Sequence, residues 1–262
     1  MSFVQTLCCT AGIFHGEIQD RSRKDLAQNE MQGRCKAMKL LIDDAHIDLI
    51  KEIYEYYPVD GVTTNPSILA KCGEEPFKVL KEIRQLIGDG AQLHVQVVAD
   101  TAEGMAEDAR RITRELGAGT YVKIPSVKEG FKAMKILAEE GIRVTATAVY
   151  TSMQGFLAGK CGAAYVAPYI NRIDNMGYNG IRVAKQIHDI LKNNHMETEV
   201  VAASFKNTQQ VLELCAYGVG AVTVASDVIQ GFVKNREIMG AVNDFVNDFE
   251  GLTGKGKTMS TL

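Results

Sequence analysis

The stretch KLLIDDAH, residues 39 to 46, begins as a β-rich run and breaks into an acidic turn. From Met38 onward such runs alternate with longer segments of helical period, the pattern of a parallel sheet joined by crossover helices. A sheet of this kind is either open and doubly wound or closed into a barrel. The dinucleotide-binding open forms carry a glycine-rich turn after their first strand. Here that turn is DDAH, and no GxGxxG occurs in the chain, so a nucleotide-binding open sheet is the weaker reading.

Seven further runs follow KLLID (39–43): DGVTT (60–64), LHVQVV (93–98), TYVKIP (120–125), RVTATAV (143–149), AAYVAPY (163–169), EVVAAS (199–204) and GAVTVA (220–225). Eight repeats predict an α/β fold, a single-domain (β/α)8 TIM barrel. Between them, Ile47, Ile50, Ile53, Tyr54 and Tyr57 recur at helical spacing, as do Val127, Phe131, Met134 and Leu137. Each segment thus turns one apolar face to the sheet, and Gly141 is placed to end the second.

Beyond the eighth run, Ile238, Val242, Phe245, Val246 and Phe249 form a stripe on an additional C-terminal helix. That helix either packs on its own barrel or docks on a neighbouring subunit. No linker divides residues 38–250, which are expected to form one domain including this helix, with 251–262 a frayed tail. Residues 1–37 show no sustained period and lack the charge order of a signal peptide. They are expected to be an N-terminal extension, disordered or an over-long start, or else a short cap over one barrel end.

With 46% hydrophobic and 23% charged residues, the composition is that of an ordinary globular protein. A net charge of -3 supplies no global positive field, so neither nucleic acid nor a membrane is an expected partner, and an anionic ligand must be held locally. No apolar run reaches the roughly 18 to 20 residues of a membrane span. The six cysteines include no CxxC and the five histidines no HxxxH. No metal and no cofactor are expected, and the thiols fit a reducing cytoplasm.

In a (β/α)8 barrel the active site lies at the C-terminal ends of the strands. Here those ends are polar. Asp43 ends the first run, Thr63, Thr64 and Asn65 the second; Gln96, Lys123 and Thr147 sit on the third, fourth and fifth; Tyr169, Asn171 and Arg172 follow the sixth, Ser204 and Lys206 the seventh. Alternation sets His94 and Gln96 against Val95 and Val97, Thr145 and Thr147 against Val144, Ala146 and Ala148, and Lys123 against Val122 and Ile124. Taken singly, a threonine or glutamine in a strand is usually a hydrogen-bonded structural residue, and Asp43 is either a helix cap or the ion-pair partner of Lys123. Seven strands offering polar groups to one mouth are not explained by packing.

Lys123 is the evident nucleophile. An amine attacks a carbonyl only when neutral, and each unit removed from lysine's ordinary value of about 10.4 takes about 1.4 kcal/mol of desolvation or charge effects. The Schiff base so formed is an electron sink beside which a carbon–carbon bond can break or form. Gln96, Thr147 and Tyr169 are candidates for ordering a water or donating a proton, Asp43 and Asn65 for binding sugar hydroxyls, and Arg172, Ser204 and Lys206 for an anion site. Pyridoxal phosphate also uses a lysine, but no partner set for its ring is evident.

The motifs GVTTNPSI (61–68), QVVADTAEGM (96–105), VKIPSVKEG (122–130), TAVYTSMQG (147–155), YVAPYINRID (165–174) and AASFKN (202–207) resemble, in order, those of the transaldolase family and within it the small fructose-6-phosphate aldolase type. The resemblance covers residues 38–262. It implies that Lys123 is the Schiff-base lysine and that Asp43 handles proton transfer and a substrate hydroxyl. It likewise implies that Thr63 and Asn65 contact the sugar and that Arg172, Ser204 and Lys206 form a phosphate pocket, with lysine at 206 where many transaldolases have arginine. The implied partners are a sugar phosphate and dihydroxyacetone. The implied assembly is a homo-oligomer, a ring of five pairing into a decamer with exchanged C-terminal helices.

Transaldolases typically carry glutamate on strand three and phenylalanine on strand six, whereas Gln96 and Tyr169 follow the aldolase type. The implied reaction is therefore reversible cleavage of fructose 6-phosphate into dihydroxyacetone and glyceraldehyde 3-phosphate. Transfer of dihydroxyacetone between sugar phosphates, as in the pentose phosphate pathway, is the alternative. A non-catalytic sugar-phosphate-binding barrel is a third reading.

Overall fold

The computed structural model describes residues 37–262; apart from Ala37, the N-terminal extension lies outside the described residues. Eight parallel strands close in chain order: β1 Lys39–Asp43, β2 Gly61–Thr63, β3 Gln92–Gln96, β4 Thr120–Pro125, β5 Val144–Val149, β6 Tyr165–Pro168, β7 Glu199–Ala202 and β8 Ala221–Val224. The ring is completed by β1 against β8, with Lys39 opposite Ala221 and Ile42 opposite Val224, so no sheet edge is exposed. That closing pair rules out the open doubly wound sheet.

The crossover helices form where the apolar spacing places them. Helix Ile47–Tyr56 buries Ile50 and Ile53. Helix Lys128–Glu139 buries Ala133, Met134 and Leu137. Val127, the expected first member of its stripe, is instead an extended N-cap and 49% exposed. Gly141 follows the helix at φ 70, the left-handed region glycine enters without strain. Gly130 has a tighter task, since a Cβ there would lie 1.8 Å from the Pro125 carbonyl oxygen. The first turn of the helix rests directly on the end of β4, which fixes the strand that carries Lys123.

Alternation sorts the side chains into two cores. Ile42, Val62, Leu93, Val122, Ile124, Val166 and Val222 pack outward against helices. Leu41, Tyr165, Ala167, Val201 and Ala221 form a second cluster inside the barrel. Below the site is a polar floor. Lys39 Nζ donates to the Tyr165 hydroxyl at 3.1 Å, and Gln92 Nε2 donates to the hydroxyls of Tyr121 and Tyr165 at 3.2 and 3.1 Å. Bonds from β1 and β3 to β6 join non-neighbouring strands and so cross the lumen.

The C-terminal helix, Arg236–Thr253, begins at Asn235, whose side chain accepts from the Glu237 NH, and it runs past Glu250. None of its residues is buried, and Phe245 is 71% exposed. Packing on its own barrel is thus overturned for the described residues. The pattern gave an apolar face, and periodicity carries no information on which surface covers such a face.

Candidate active site

Lys123 stands near the C-terminal end of β4, in register with Gln96 on β3 and Thr145 on β5. It is 5% exposed. Its Nζ donates to the Thr64 carbonyl oxygen at 2.7 Å. A neutral carbonyl cannot balance an ammonium. Burial drives the Lys123 pKa below the ordinary lysine value; Asp43 opposes that shift, and the positive charge of Arg172 reinforces it.

Asp43 closes β1 opposite Thr63 of β2. Thr63 Oγ1 lies 2.8 Å from Asp43 Oδ1 and 2.6 Å from Thr223 Oγ1, a threonine of β8 whose placement between Val222 and Val224 was the available sequence signal. Desolvation raises the Asp43 carboxyl, against the lowering effects of Lys123 and Thr63. No ion pair joins Asp43 to Lys123 among the described residues, and Asp43 caps no helix, since the next N-cap is His46. The helix-cap explanation of Asp43 therefore falls away, and its coupling to Lys123 is one of charge attraction without direct contact.

On the far side, Thr147 Oγ1 and the Tyr169 hydroxyl are 2.7 Å apart. The backbone is distorted to bring them there. The pairing of β5 with β6 shifts register between Ala146 and Val149, and Ala148 adopts φ 54. A left-handed non-glycine residue costs about 1–3 kcal/mol and marks positions that the surrounding structure holds in place. Ser204 is a second such residue, at φ 62. Its carbonyl accepts from the Asn171 NH at 2.9 Å, which ties the β7 loop to the β6 loop.

Arg172 lies over the Tyr169 ring, 4.8 Å from its centroid. Its neighbour Asn171 thus links it to Ser204, while the exposed Lys206 is anchored among the described residues only through its backbone NH, to Gln210 Oε1 at 2.8 Å. Asn65 is partly occupied, because its Oδ1 accepts from the Ile68 NH as the N-cap of helix Pro66–Cys72. Gln96 is half-buried, and its side chain makes no hydrogen bond to Thr147 or Tyr169 among the described residues.

A cavity of about 470 Å³ opens at this mouth, lined by Asp43, Asn65 and Arg172 among others. Its size suits a small ligand. A more apolar cavity of about 450 Å³, between Leu69, Phe77, Leu80 and Ile112, reaches Gln96 but offers no group for carbonyl chemistry.

His94 also escaped the functional reading, although alternation had placed it inside. It is fully buried, stacks on Tyr121 at 4.7 Å, and its ring nitrogens meet Thr145 Oγ1 at 2.9 Å and Gln92 Oε1 at 3.2 Å. Burial, with Lys123 nearby, pushes its pKa well below the usual histidine value, so it is neutral. The tail segment GLTGKGKT (251–258) formally matches the phosphate-loop pattern GxxxxGK[ST], but it lies at the end of helix Arg236–Thr253 and not between a strand and a helix. No cluster of His, Cys, Asp and Glu able to hold a metal is found among the described residues.

A closed eight-stranded barrel with this polar constellation at its C-terminal mouth is a (β/α)8-barrel enzyme. Residues 40–258 match the family model described as Transaldolase/Fructose-6-phosphate aldolase. A relative described as a probable fructose-6-phosphate aldolase, from Streptococcus pneumoniae, is 38% identical over 213 residues, covering 81% of this chain and 96% of the relative. The chain belongs to the transaldolase/fructose-6-phosphate aldolase family. Among solved structures, a mutant of flavocytochrome B2 superposes with a TM-score of 0.53 at 12% identity, over 72% of this chain and 56% of its own; that likeness is of fold alone.

Proposed function

We propose that this protein cleaves fructose 6-phosphate reversibly into dihydroxyacetone and glyceraldehyde 3-phosphate through an imine on Lys123. The observation that carries the reading is the buried Lys123 amine, its pKa lowered by desolvation, between Asp43 and the Thr147–Tyr169 pair. The neutral amine attacks the C2 carbonyl, and loss of water, with a proton supplied by the Asp43 carboxylic acid, leaves an iminium and the Asp43 carboxylate. Asp43 takes the proton of the C4 hydroxyl as the C3–C4 bond breaks, and the bond electrons flow into the iminium to give an enamine. Glyceraldehyde 3-phosphate departs. A water held by Thr147 and Tyr169 protonates C3 of the enamine and is resupplied with a proton by Asp43, and a second water hydrolyses the resulting iminium, freeing dihydroxyacetone and neutral Lys123 and returning a proton to Asp43. Arg172, Ser204 and Lys206 hold the phosphate, and Thr63 and Asn65 orient the hydroxyls of the donor half.

One observation favours the competing reading, in which the enamine is captured by a second aldehyde as in the pentose phosphate pathway. Gln96 makes no direct hydrogen bond to the Thr147–Tyr169 pair among the described residues, so any part it takes in ordering the protonating water is through that water alone. Incubation with fructose 6-phosphate alone separates the two. Sustained release of free dihydroxyacetone is expected; release only on addition of an acceptor aldehyde assigns the transfer reaction. Borohydride reduction with dihydroxyacetone, followed by peptide mapping, tests both against a non-catalytic barrel, and an unmodified Lys123 excludes both.

The same proposal includes a homo-oligomer, a pentamer or decamer, supported by the uncovered apolar face of helix Arg236–Thr253. It also includes a cytoplasmic setting, supported by the free thiols Cys72, Cys161 and Cys215. No helix among the described residues is long and apolar enough to cross a membrane.

A further inference from the structure

The turn DDAH contributes Asp43 to the chemistry above, and His46 remains unassigned. His46 occupies the N-cap of helix Ile47–Tyr56 and makes no side-chain capping bond. Ser, Thr, Asp and Asn are preferred there because their short side-chain oxygens accept from the first helical NH groups, and their absence weakens the helix start. A break with a local rule at an active-site mouth is a mark of function.

The ring is held from one side. His46 Nδ1 lies 2.7 Å from Asp44 Oδ1. Asp44 is itself pinned, with Oδ1 accepting from the NH groups of Ala45 and His46 at 2.8 and 3.1 Å and Oδ2 from Ser226 Oγ at 2.7 Å. Burial alone would raise the Asp44 carboxyl, but the hydrogen bonds from Ser226, His46 and Ala45 outweigh it and hold the group below the usual carboxylate range. An ionised carboxylate only accepts, so Nδ1 carries the proton in the neutral ring and Nε2 is left as an acceptor. That nitrogen has no protein partner among the described residues, and the ring lines the same cavity of about 470 Å³ as Asp43 and Arg172.

The aldehyde half of the proposed substrate has three carbons. The first, at the broken bond, carries the hydroxyl that gives its proton to Asp43, and the third carries the phosphate directed to Arg172. Between them is one carbon with one hydroxyl. We infer that His46, oriented by Asp44, reads that middle hydroxyl, Nε2 accepting its hydrogen bond and making the site selective for 2-hydroxyaldehydes. The inference rests on the aldolase or transaldolase reading and adds to it the residue that sets aldehyde specificity.

The test uses the Lys123→Met protein, which forms no imine, and two unreactive probes, glycerol 3-phosphate and the monophosphate of propane-1,3-diol, which lacks only the middle hydroxyl. Calorimetry should show glycerol 3-phosphate binding about three- to tenfold more tightly, the scale of one net hydrogen bond. Adding His46→Asn, a better N-cap that protects the fold, should abolish that preference by weakening glycerol 3-phosphate alone. Equal affinities before the His46 change, or an equal loss for both probes after it, overturn the inference. In the enzyme with Lys123 intact, condensation of dihydroxyacetone with glyceraldehyde should lose its advantage over 3-hydroxypropanal through KM when His46 is replaced. Failure of dihydroxyacetone to form a reducible adduct would defeat the catalytic reading while leaving the probe comparison intact.

Discussion

Thr147 and Tyr169 form a pair whose contribution is separable by two nearly isosteric changes, Thr147→Val and Tyr169→Phe, each deleting one hydroxyl. The oxygens are 2.7 Å apart and Thr147 is fully buried. Tyr169→Phe strands the buried Thr147 hydroxyl, a cost of about 1–3 kcal/mol, whereas Thr147→Val leaves the Tyr169 hydroxyl the Ala148 backbone as a partner and the double change strands neither hydroxyl. In urea titrations the double variant should therefore be less destabilised than the sum of the singles by about 1–3 kcal/mol. Turnover should follow a different pattern. Loss of a positioned proton donor costs about 10²–10⁴-fold, so Tyr169→Phe should cut dihydroxyacetone release from fructose 6-phosphate by that factor. Thr147→Val should cost about tenfold by misdirecting the tyrosine, and almost nothing when Tyr169 is already phenylalanine. Desolvation raises the Tyr169 hydroxyl and the Thr147 hydrogen bond lowers it, so Thr147→Val should also move an alkaline limb due to Tyr169 to higher pH. Additive stability losses, or rate losses that multiply, would refute a coupled pair.

Lys123→Met should fold normally by circular dichroism and form no adduct on borohydride reduction with dihydroxyacetone; retained turnover would exclude Lys123 as nucleophile. The same variant tests linkage: burial puts the folded pKa of Lys123 below the unfolded value, so between the two the unfolded chain binds more protons and stability rises with pH. Lys123→Met should be the more stable protein at neutral pH, with the difference shrinking as pH approaches the ordinary lysine value, and a pH-independent difference would contradict a buried neutral amine. Deleting residues 235–262 should lower the number of subunits per particle, the light-scattering mass divided by that of the shortened chain, since the helix buries none of its own apolar residues; an unchanged subunit number would place the assembly interface elsewhere.

The barrel was legible because alternation and repetition are properties of the chain itself. Val122 and Ile124 on one side of β4 and Lys123 on the other are placed by the pleat alone. The positions of Gln96, Thr147 and Thr223 follow in the same way. What alternation cannot supply is contact across the lumen, which depends on which strands face one another. Hence the links from Lys39 and Gln92 to Tyr165 had no signature in the sequence, whereas the stacking of His94 on Tyr121 joins register partners on adjacent strands. Asn65 shows a second limit, since the residue read as a sugar ligand also caps a helix, and both uses draw on the same amide. The register shift that aims Thr147 at Tyr169 is a third, because Ala148 is not a residue whose chemistry announces a left-handed backbone.

The electrostatics of the mouth follow from one cause acting on two groups. Desolvation lowers the pKa of Lys123 and raises that of Asp43, while the attraction between them opposes both shifts. The two values are driven toward each other, and the free energy separating ammonium and carboxylate from amine and acid shrinks. A site poised in this way can present the neutral nucleophile without external base and then use the same carboxyl for the C4 hydroxyl. Asp43→Asn separates the two roles. Without the carboxylate the Lys123 pKa should fall further, so the acid limb of imine formation with dihydroxyacetone moves to lower pH, although carbon–carbon cleavage fails. Arg172 also lowers Lys123, and neutral His94 adds no charge beneath it, so no other group facing the amine reverses that sign. An acid limb that moves to higher pH in Asp43→Asn would mean that Asp43 acts as the base that deprotonates Lys123, and not as the charge that holds its proton.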